Sequence, residues 1–369
     1  MLRLKIIFGL LGFLVISCSK DNSSEGFSPK VDWVTTFNEE PCYITPVISV
    51  DREWEERLTY FSVLQTDTVS LMYYTVIKDG RRFLCYASSQ DGYVWEKPVL
   101  NRFEYNGSTN NNILLTGIID RYCVFRKDEY IYFSAMGEDQ HLHLYKSVNG
   151  LDFEKLESFD VSYYVDGQYQ IIYDPSLSHF KIFFRGYRKA DKRSHYNHSD
   201  SIYRTVVYTE TGDIENYKLL YDENRVYYRS GFPVLTDEFP VVMDNWEEVI
   251  DYDIYTSCIN YFGNENICMA FPTFFYHDPD RISGGERGNA GDCYLSVWGN
   301  KSNGFECINQ YLFSPGLIEG LQFYMAPGYI ETEKSVILFC WQRDLKHGYP
   351  GSKGSYYAIT YDKITDNNG

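Results

Sequence analysis

Residues 83–98 read F-L-C-Y-A-S-S-Q-D-G-Y-V-W-E-K-P, and this stretch decides the fold. Side chains alternate in character up to Ser88, which is typical of a β-strand. Asp91-Gly92 then supplies the positive φ that a tight turn needs. Trp95 follows three residues after the glycine, where a return strand is expected. The stretch therefore predicts a strand, a turn and a second strand.

The same turn recurs along the chain. Its copies are Ser89-x-Asp91-Gly92-x-x-Trp95, Ser147-x-Asn149-Gly150-x-x-Phe153, the weaker Thr209-x-Thr211-Gly212-x-x-Glu215 and the shortened Asn303-Gly304-Phe305-Glu306. The period of about 60 residues predicts a repeat architecture of β-sheets. Over residues 31–364 it gives about five repeats of four strands, so an all-β, five-bladed β-propeller is predicted as one domain. A β-sandwich would not explain the repeated turn.

The copies also show what the turn requires. Asp91 is replaced by Asn149 and Thr211, so the position needs a short polar residue before glycine and not a catalytic charge. Trp95 and Phe153 are accordingly predicted to pack between blades.

The N-terminus is predicted to direct export. Residues 1–17 combine Arg3 and Lys5 with an apolar run too short to span a bilayer, which is typical of a signal peptide. The run ends at Ser17-Cys18, which resembles a bacterial lipoprotein signal, so Cys18 is the expected lipidation site. Residues 18–30 are polar and predict a tether. Lys20-Asp21 resembles in part the surface-export signals of Bacteroidetes lipoproteins. We expect an outer-membrane lipoprotein at the cell surface or periplasmic face, attached to the membrane by this anchor only.

Composition excludes several classes of function. The formal net charge of −17 argues against nucleic-acid binding, which needs a basic surface.

The nine cysteines form no C-x-x-C pair, and the chain lacks a P-loop, a G-x-G-x-x-G fingerprint and a G-x-S-x-G elbow. His141-x-His143 has no third ligand in the sequence. No cofactor and no metal are therefore expected. The 35 tyrosines suit strands and also offer stacking faces to sugars.

Several segments resemble the five-bladed β-propeller glycosidase superfamily, which includes arabinanases, levansucrases and invertases, and in particular its secreted bacterial members. The segments that carry the resemblance are V-D-R-E-W-E at 50–55, M-Y-Y at 72–74, C-Y-A-S-S-Q-D-G-Y-V-W-E-K-P at 85–98, F-E-Y-N-G-S at 103–108, F-F-R-G-Y-R at 183–188, D-I-Y-T at 253–256 and F-P-T at 271–273. The resemblance implies acids near the central axis. The W-x-N-D-P and E-C signatures of invertase-type members are absent from this chain.

Glycoside hydrolysis needs two carboxylates on opposite sides of the scissile bond. In a propeller these acids come from strand heads at one mouth of the channel. Three aspartates precede or begin predicted strands, and four other residues lie at strand ends where they would contact a substrate. The candidates are catalytic Asp51, Asp166 and Asp253, and substrate-binding Arg185, Arg188, Tyr255 and His277. Each also has a structural alternative: a turn or cap for the acids, and an ion pair for the arginines.

Three functions remain open on these grounds. The first is a lipid-anchored glycoside hydrolase that acts on a poly- or oligosaccharide with paired carboxylates in the channel. The second is a non-catalytic glycan-binding surface lipoprotein, which would present an aromatic platform without the acid pair. The third is a propeller for protein assembly, which would expose an apolar patch.

Overall fold

The computed structural model describes residues 41–139, 141–161, 169–189, 202–220, 239, 241–243, 252–262, 267–276, 289–298, 305–313, 322–343 and 353–363. These residues form strands and no helix, so the prediction of an all-β chain is confirmed. Accordingly, no helix within them is long and apolar enough to cross a membrane.

The described strands form five mainly antiparallel sheets. The first sheet contains β2 (Arg57–Gln65), β3 (Ser70–Lys78), β4 (Arg81–Ser89) and β5 (Ile113–Thr116). The second contains β6 (Ile118–Lys127), β7 (Tyr130–Gly137), β8 (Leu142–Ser147), β9 (Glu154–Lys155), β10 (Asp160–Val161) and β14 (Lys218–Leu219). The third contains β11 (Tyr169–Asp174), β12 (His179–Lys189), β13 (Ile202–Thr211) and β15 (Val241–Met243).

The last two sheets follow the same pattern. The fourth contains β16 (Tyr252–Phe262), β17 (Ile267–Tyr276), β18 (Asn289–Trp298) and β19 (Phe305–Phe313). The fifth contains β20 (Gln322–Glu331), β21 (Ser335–Arg343), β22 (Ser355–Asp362) and β1 (Tyr43–Ile48). β1 pairs antiparallel with β22, so the first described strand of the chain completes the last sheet.

The first strands of the sheets lie around a common axis. β2 lies against β20 and β6, β6 against β11, β11 against β16, and β16 against β20. These contacts close a ring, which is the arrangement of a β-propeller. Apolar cores fill the space between consecutive sheets, as between the first and fifth and between the second and third. We call β2, β6, β11, β16 and β20 the inner strands.

In the first and second sheets, the repeated turn packs against the preceding sheet of the ring. Gly92 and Gly150 have φ of +80° and +73°. Asp91 Oδ1 accepts the Val94 N–H at 2.8 Å, and Asn149 Oδ1 accepts the Asp152 N–H at 2.8 Å. The turn therefore needs an acceptor oxygen at this position, and that oxygen need not carry a charge.

The two aromatic residues of the turns lie between sheets, as predicted. The Trp95 ring is 5.9 Å from Phe339 of the fifth sheet, and Phe153 is 5.9 Å from Tyr73 of the first. The predicted return strand after Asp91-Gly92 is wrong, because the segment makes only one bridge, between Ser88 and Glu96. The fourth strand of this sheet comes instead from β5.

Candidate functional site

Aromatic side chains from the first, fourth and fifth sheets converge where the inner strands begin. Tyr60 lies on β2, Tyr255 on β16, Tyr324 on β20 and Trp341 at the end of β21. The ring centroids of Tyr255 and Tyr324 are 6.1 Å apart, and those of Tyr324 and Trp341 are 4.9 Å apart. Tyr60 lies 5.3 Å from Trp341. We call these four residues the strand-head cluster.

Two members of the cluster lie at irregularities of their strands. Pairing of β16 with β17 shifts register between Ile254 and Thr256, which leaves Tyr255 as the extra residue. Pairing of β2 with β3 shifts between Leu58 and Phe61, the interval that contains Tyr60. A β-bulge bends its strand and redirects a side chain, and bulges are frequent beside active sites. Tyr60 and Tyr255 are half-buried, whereas Tyr324 and Trp341 are buried beneath them.

Three arginines surround the cluster. The guanidinium carbons of Arg185 and Arg204 lie 4.8 and 5.5 Å from the centroid of the Tyr255 ring. Arg185 also donates a hydrogen bond to the Tyr255 carbonyl oxygen. Arg343 lies 5.7 Å from the Trp341 ring. Guanidinium groups stacked on aromatic faces keep their planar donors in fixed directions, which suits recognition of oxygen-rich ligands.

The hydroxyl group of Tyr324 lies in the field of two of these arginines, Arg343 and Arg185. Burial raises its pKa well above the usual range, and neighbouring Tyr60 and Tyr255 raise it further, against the opposing charges of Arg343 and Arg185. The phenol therefore stays protonated, and it donates to Gln322 Oε1 at 2.8 Å. Because Gln322 is itself buried, the floor of the cluster is polar and ordered.

The structure brings together two of the predicted substrate-binding residues, Arg185 and Tyr255. Asp253 lies on the same strand as Tyr255, two residues before it, in register with Phe275. Arg188 lies on β12, paired with Tyr203. Three other predicted site residues, Asp166, His277 and Cys18, lie outside the described residues.

Asp51 lies at the seam between the first and fifth sheets, in the connection from β1 to β2. The Lys97 ammonium contacts Asp51 Oδ1 at 2.5 Å, the Glu55 carboxylate at 2.8 Å and the Ser49 carbonyl at 3.2 Å. Burial opposes ionisation of Asp51, but the hydrogen bond and charge of Lys97 outweigh it, so its pKa lies below the ordinary value. A carboxylate held in this way is a poor proton donor at neutral pH.

The rest of this seam is a buried polar network. Glu55 is fully buried and accepts a hydrogen bond from the Tyr74 hydroxyl at 2.9 Å. Asn112 donates to the Tyr74 oxygen at 2.7 Å and accepts from Trp54 Nε1 at 3.0 Å. The network explains why an acidic and aromatic segment precedes the first inner strand. Whether Asp51 also takes part in catalysis stays a prediction.

The two histidines of His141-x-His143 each have a nearby carboxylate. His143 Nε2 lies 2.9 Å from Asp139, and His141 Nδ1 lies 3.5 Å from Asp160. No group of three metal-ligating side chains occurs in the part of the chain that the structure describes.

Sequence reasoning missed five residues around Tyr255: Tyr60, Tyr324, Trp341, Arg204 and Arg343. Each lies in a strand whose alternation predicts only burial on a sheet face. What distinguishes these five residues from other buried strand residues is that they converge from different sheets, and this convergence depends on closure of the ring. A search for arginine and aromatic residues at the ends of predicted first and second strands would have found most of them.

Comparison with known proteins gives the fold. No protein-family model matches the chain, and no curated protein matches it. Among solved structures, similar ones include a glycosyl hydrolase from Bacteroides ovatus, with a TM-score of 0.52 and 12% identity over 88% of this chain and 94% of that one. Identities this low show a shared fold and not a shared reaction.

Two other solved structures carry different chemistry on a similar fold. An N-acetylgalactosamine deacetylase from F. plautii, in complex with blood group B trisaccharide, has a TM-score of 0.52 and 12% identity over 89% of this chain and 94% of that one. MPT-4, a mannose phosphorylase from Leishmania mexicana in complex with phosphate ion, has a TM-score of 0.52 and 10% identity over 87% and 88%. The class that the fold defines is a β-propeller.

Proposed function

We propose that this chain is an exported, lipid-anchored glycoside hydrolase whose five sheets are the five blades of the propeller. The observation that carries the proposal is the strand-head cluster, where half-buried Tyr60 and Tyr255 meet stacked arginines beside the strand position of Asp253. Aromatic faces bind the apolar faces of sugar rings, and guanidinium donors bind hydroxyl oxygens. This combination supports a carbohydrate substrate.

Asp253 and Asp166 are the acids we assign to the reaction. Asp253 begins an inner strand, and Asp166 precedes β11, the neighbouring inner strand. One acid protonates the glycosidic oxygen while the other activates water or attacks the anomeric carbon. A separation of about 5–5.5 Å between the carboxyl groups would predict retention of configuration, and about 6.5–9.5 Å would predict inversion.

The proposed export and membrane anchoring of the protein rest on the predicted signal peptide at residues 1–17. The apolar run before Cys18 supports cleavage at that cysteine, which would tether the propeller to the outer membrane through residues 18–30. Such a location suits an enzyme that meets polysaccharides outside the cell.

Asp253→Asn and Asp166→Asn are expected each to lower hydrolysis of a responsive glycan by at least about 100-fold, because each removes an acid–base group. The measurement is reducing sugar released from a panel of polysaccharides and oligosaccharides by the purified protein. Asp152→Asn is the matched control, since Asp152 lies in an exposed turn and pairs with Arg102. Full activity in both Asp253→Asn and Asp166→Asn would exclude these two residues as the catalytic pair.

The second candidate is a non-catalytic glycan-binding lipoprotein, and the cluster alone also supports it. Under either function Tyr255→Ala is expected to weaken glycan binding by about 2 kcal/mol, roughly 30-fold, because it removes a stacking face. Isothermal titration calorimetry measures this, with Tyr43→Ala as control, because Tyr43 is 53% exposed on the outer strand β1. Binding without any released sugar across the panel would favour the binding protein over the enzyme.

A further inference from the structure

The loop that precedes β5 contains an exposed Asn-Gly turn, at Asn106-Gly107. The N–H groups of Tyr105 and Ser108 each donate to the carbonyl oxygen of the other, at 2.8 and 3.0 Å. Asn106 and Gly107 have φ of +49° and +79°, which is typical of a type I′ turn. Both residues are exposed, and a Cβ atom at Gly107 would meet no atom of the described residues within 4 Å. Open space therefore surrounds the turn.

Few contacts hold the amide groups of this turn in place. Asn106 Nδ2 donates to Glu53 Oε1 at 2.6 Å, which is the only hydrogen bond of this side chain among the residues that the structure describes. The Gly107 N–H has no hydrogen-bond partner in the same part of the chain. Glu53 is itself exposed. The Asn106 side chain can therefore turn its amide carbon toward the Gly107 nitrogen when one exposed contact is lost and the turn opens locally.

The second described Asn-Gly dipeptide, Asn149-Gly150, is held far more tightly. Asn149 Oδ1 accepts the N–H groups of Leu151 and Asp152 at 2.9 and 2.8 Å, and its Nδ2 donates to Asp152 Oδ2 at 2.6 Å. The Gly150 N–H donates to Ser147 Oγ at 3.0 Å, and Gly150 is buried. The Gly150 nitrogen therefore cannot approach the Asn149 side chain unless this whole set of hydrogen bonds breaks.

We propose that Asn106 is a site of spontaneous deamidation. The Gly107 nitrogen bonds to Asn106 Cγ while the Cγ–Nδ2 bond breaks, and Nδ2 leaves as ammonia with the proton of the Gly107 amide. Water then opens the resulting succinimide ring at either carbonyl, which leaves aspartate or isoaspartate at position 106. Glycine favours this ring closure because it has no side chain to obstruct its own nitrogen. The modification needs no enzyme and is independent of the proposed hydrolysis.

Deamidation adds a carboxylate where a donor now faces Glu53. Two like charges at hydrogen-bond distance repel each other, so the contact between Asn106 and Glu53 becomes unfavourable. The same turn carries Tyr105, whose ring centroid lies 6.2 Å from that of Trp54 in the segment beside Glu53. We expect the turn to separate from this segment as the protein ages, which makes Asn106 a slow one-way switch of loop mobility.

Peptide mass spectrometry of the full-length protein, aged in mildly alkaline buffer, tests the modification site. Residue 106 should gain about 1 Da at least about tenfold faster than residue 149, because each hydrogen bond that must break lowers the population of the reactive conformer. In urea, where both turns are lost, Asn106 and Asn149 should react at similar rates. An equal rate at the two residues in the folded protein, or a difference that persists in urea, would overturn the proposal.

Asn106→Asp reproduces the aspartate product and tests its effect on the turn. Amide hydrogen exchange at Tyr105 and Ser108 should be at least about twofold faster than in wild type, because the new charge repels Glu53. Asn106→Asp/Glu53→Gln should exchange as slowly as wild type. Asn110→Asp is the matched control, since it adds the same charge to the same exposed loop and keeps the donor to Glu53. Unchanged exchange in Asn106→Asp, or equal acceleration in Asn110→Asp, would refute the effect on the turn.

Discussion

Gly328→Ala is expected to strain the closure of the propeller and to lower its free energy of unfolding severely. A Cβ atom at this position would lie 1.7 Å from the Val63 carbonyl oxygen and 2.6 Å from its carbon. Both atoms belong to the backbone of β2, so neither can move aside as a flexible side chain would. Gly328 also has φ of +93°, which L-residues rarely adopt. We expect a cost of more than about 4 kcal/mol, in the exceptional range for one methyl group.

Gly80→Ala is the matched control for Gly328→Ala. Gly80 has φ of +75°, but its Cβ would meet no atom of the described residues within 4 Å, so only the backbone cost of about 1–2 kcal/mol applies. Urea unfolding followed by tryptophan fluorescence measures both variants. If Gly328→Ala were no more destabilising than Gly80→Ala, the close approach of β20 to β2 would be wrong.

Lys97→Met is expected to destabilise the fold by about 3–5 kcal/mol, because it removes the cation from a buried charge network. The Lys97 side chain is 6% exposed and the Glu55 side chain 0% exposed, so the variant would leave a buried carboxylate without its cation. Methionine keeps the length and apolar stem of lysine, which confines the change to the charge. The seam between the first and fifth sheets should loosen as a result.

Two further variants separate charge from packing at Lys97. Lys97→Met/Glu55→Gln removes both charges and should recover much of the loss. Arg102→Ala breaks an exposed pair with Asp152 and should cost less than about 1 kcal/mol. A double variant as unstable as Lys97→Met alone would show that packing, and not the buried charge, sets the effect.

The same seam predicts a dependence of stability on pH. The folded pKa of Asp51 is lowered from the ordinary value of 3.8, so the unfolded chain binds a proton to this group more readily. Its contribution is present above pH 3.8 and is lost as the pH falls through the folded pKa. Unfolding curves of wild type and Asp51→Asn should therefore differ at about pH 5–7 and converge in stronger acid.

The repeated turn can be predicted from sequence because its chemistry is local. Ser89 Oγ accepts the Gly92 N–H and Asp91 Oδ1 accepts the Tyr93 N–H, and in the second copy Ser147 Oγ accepts the Gly150 N–H. Alternation and turn residues likewise mark most of the strands in the sequence itself. The predicted return strand after Asp91-Gly92, which would contain Trp95, is wrong: Trp95 instead packs on Phe339, a contact with another sheet.

The strand-head cluster and the arginines around it could be predicted only in part. Arg185 and Tyr255 were found because each lies at a strand end in a segment resembling known propellers. Tyr60 and Trp341 were not, since a register shift and a contact between two sheets bring them together. Asp51 looks equally suited to catalysis in the sequence, yet the structure surrounds it with Lys97, Arg52 and Glu55 at a seam.

Local chemistry in the chain thus specified strands, turns and the period of the repeat, because hydrogen bonds and backbone preferences act over a few residues. Only the tertiary structure determines which strand heads of the repeats meet. It also determines how Lys97 neutralises buried Glu55 and why Gly328 must lack a side chain. These features depend on contacts between residues as far apart as Val63 and Gly328, and such contacts exist only after the ring of sheets closes. The turn at Asp91-Gly92 belongs to the first group, and the strand-head cluster belongs to the second.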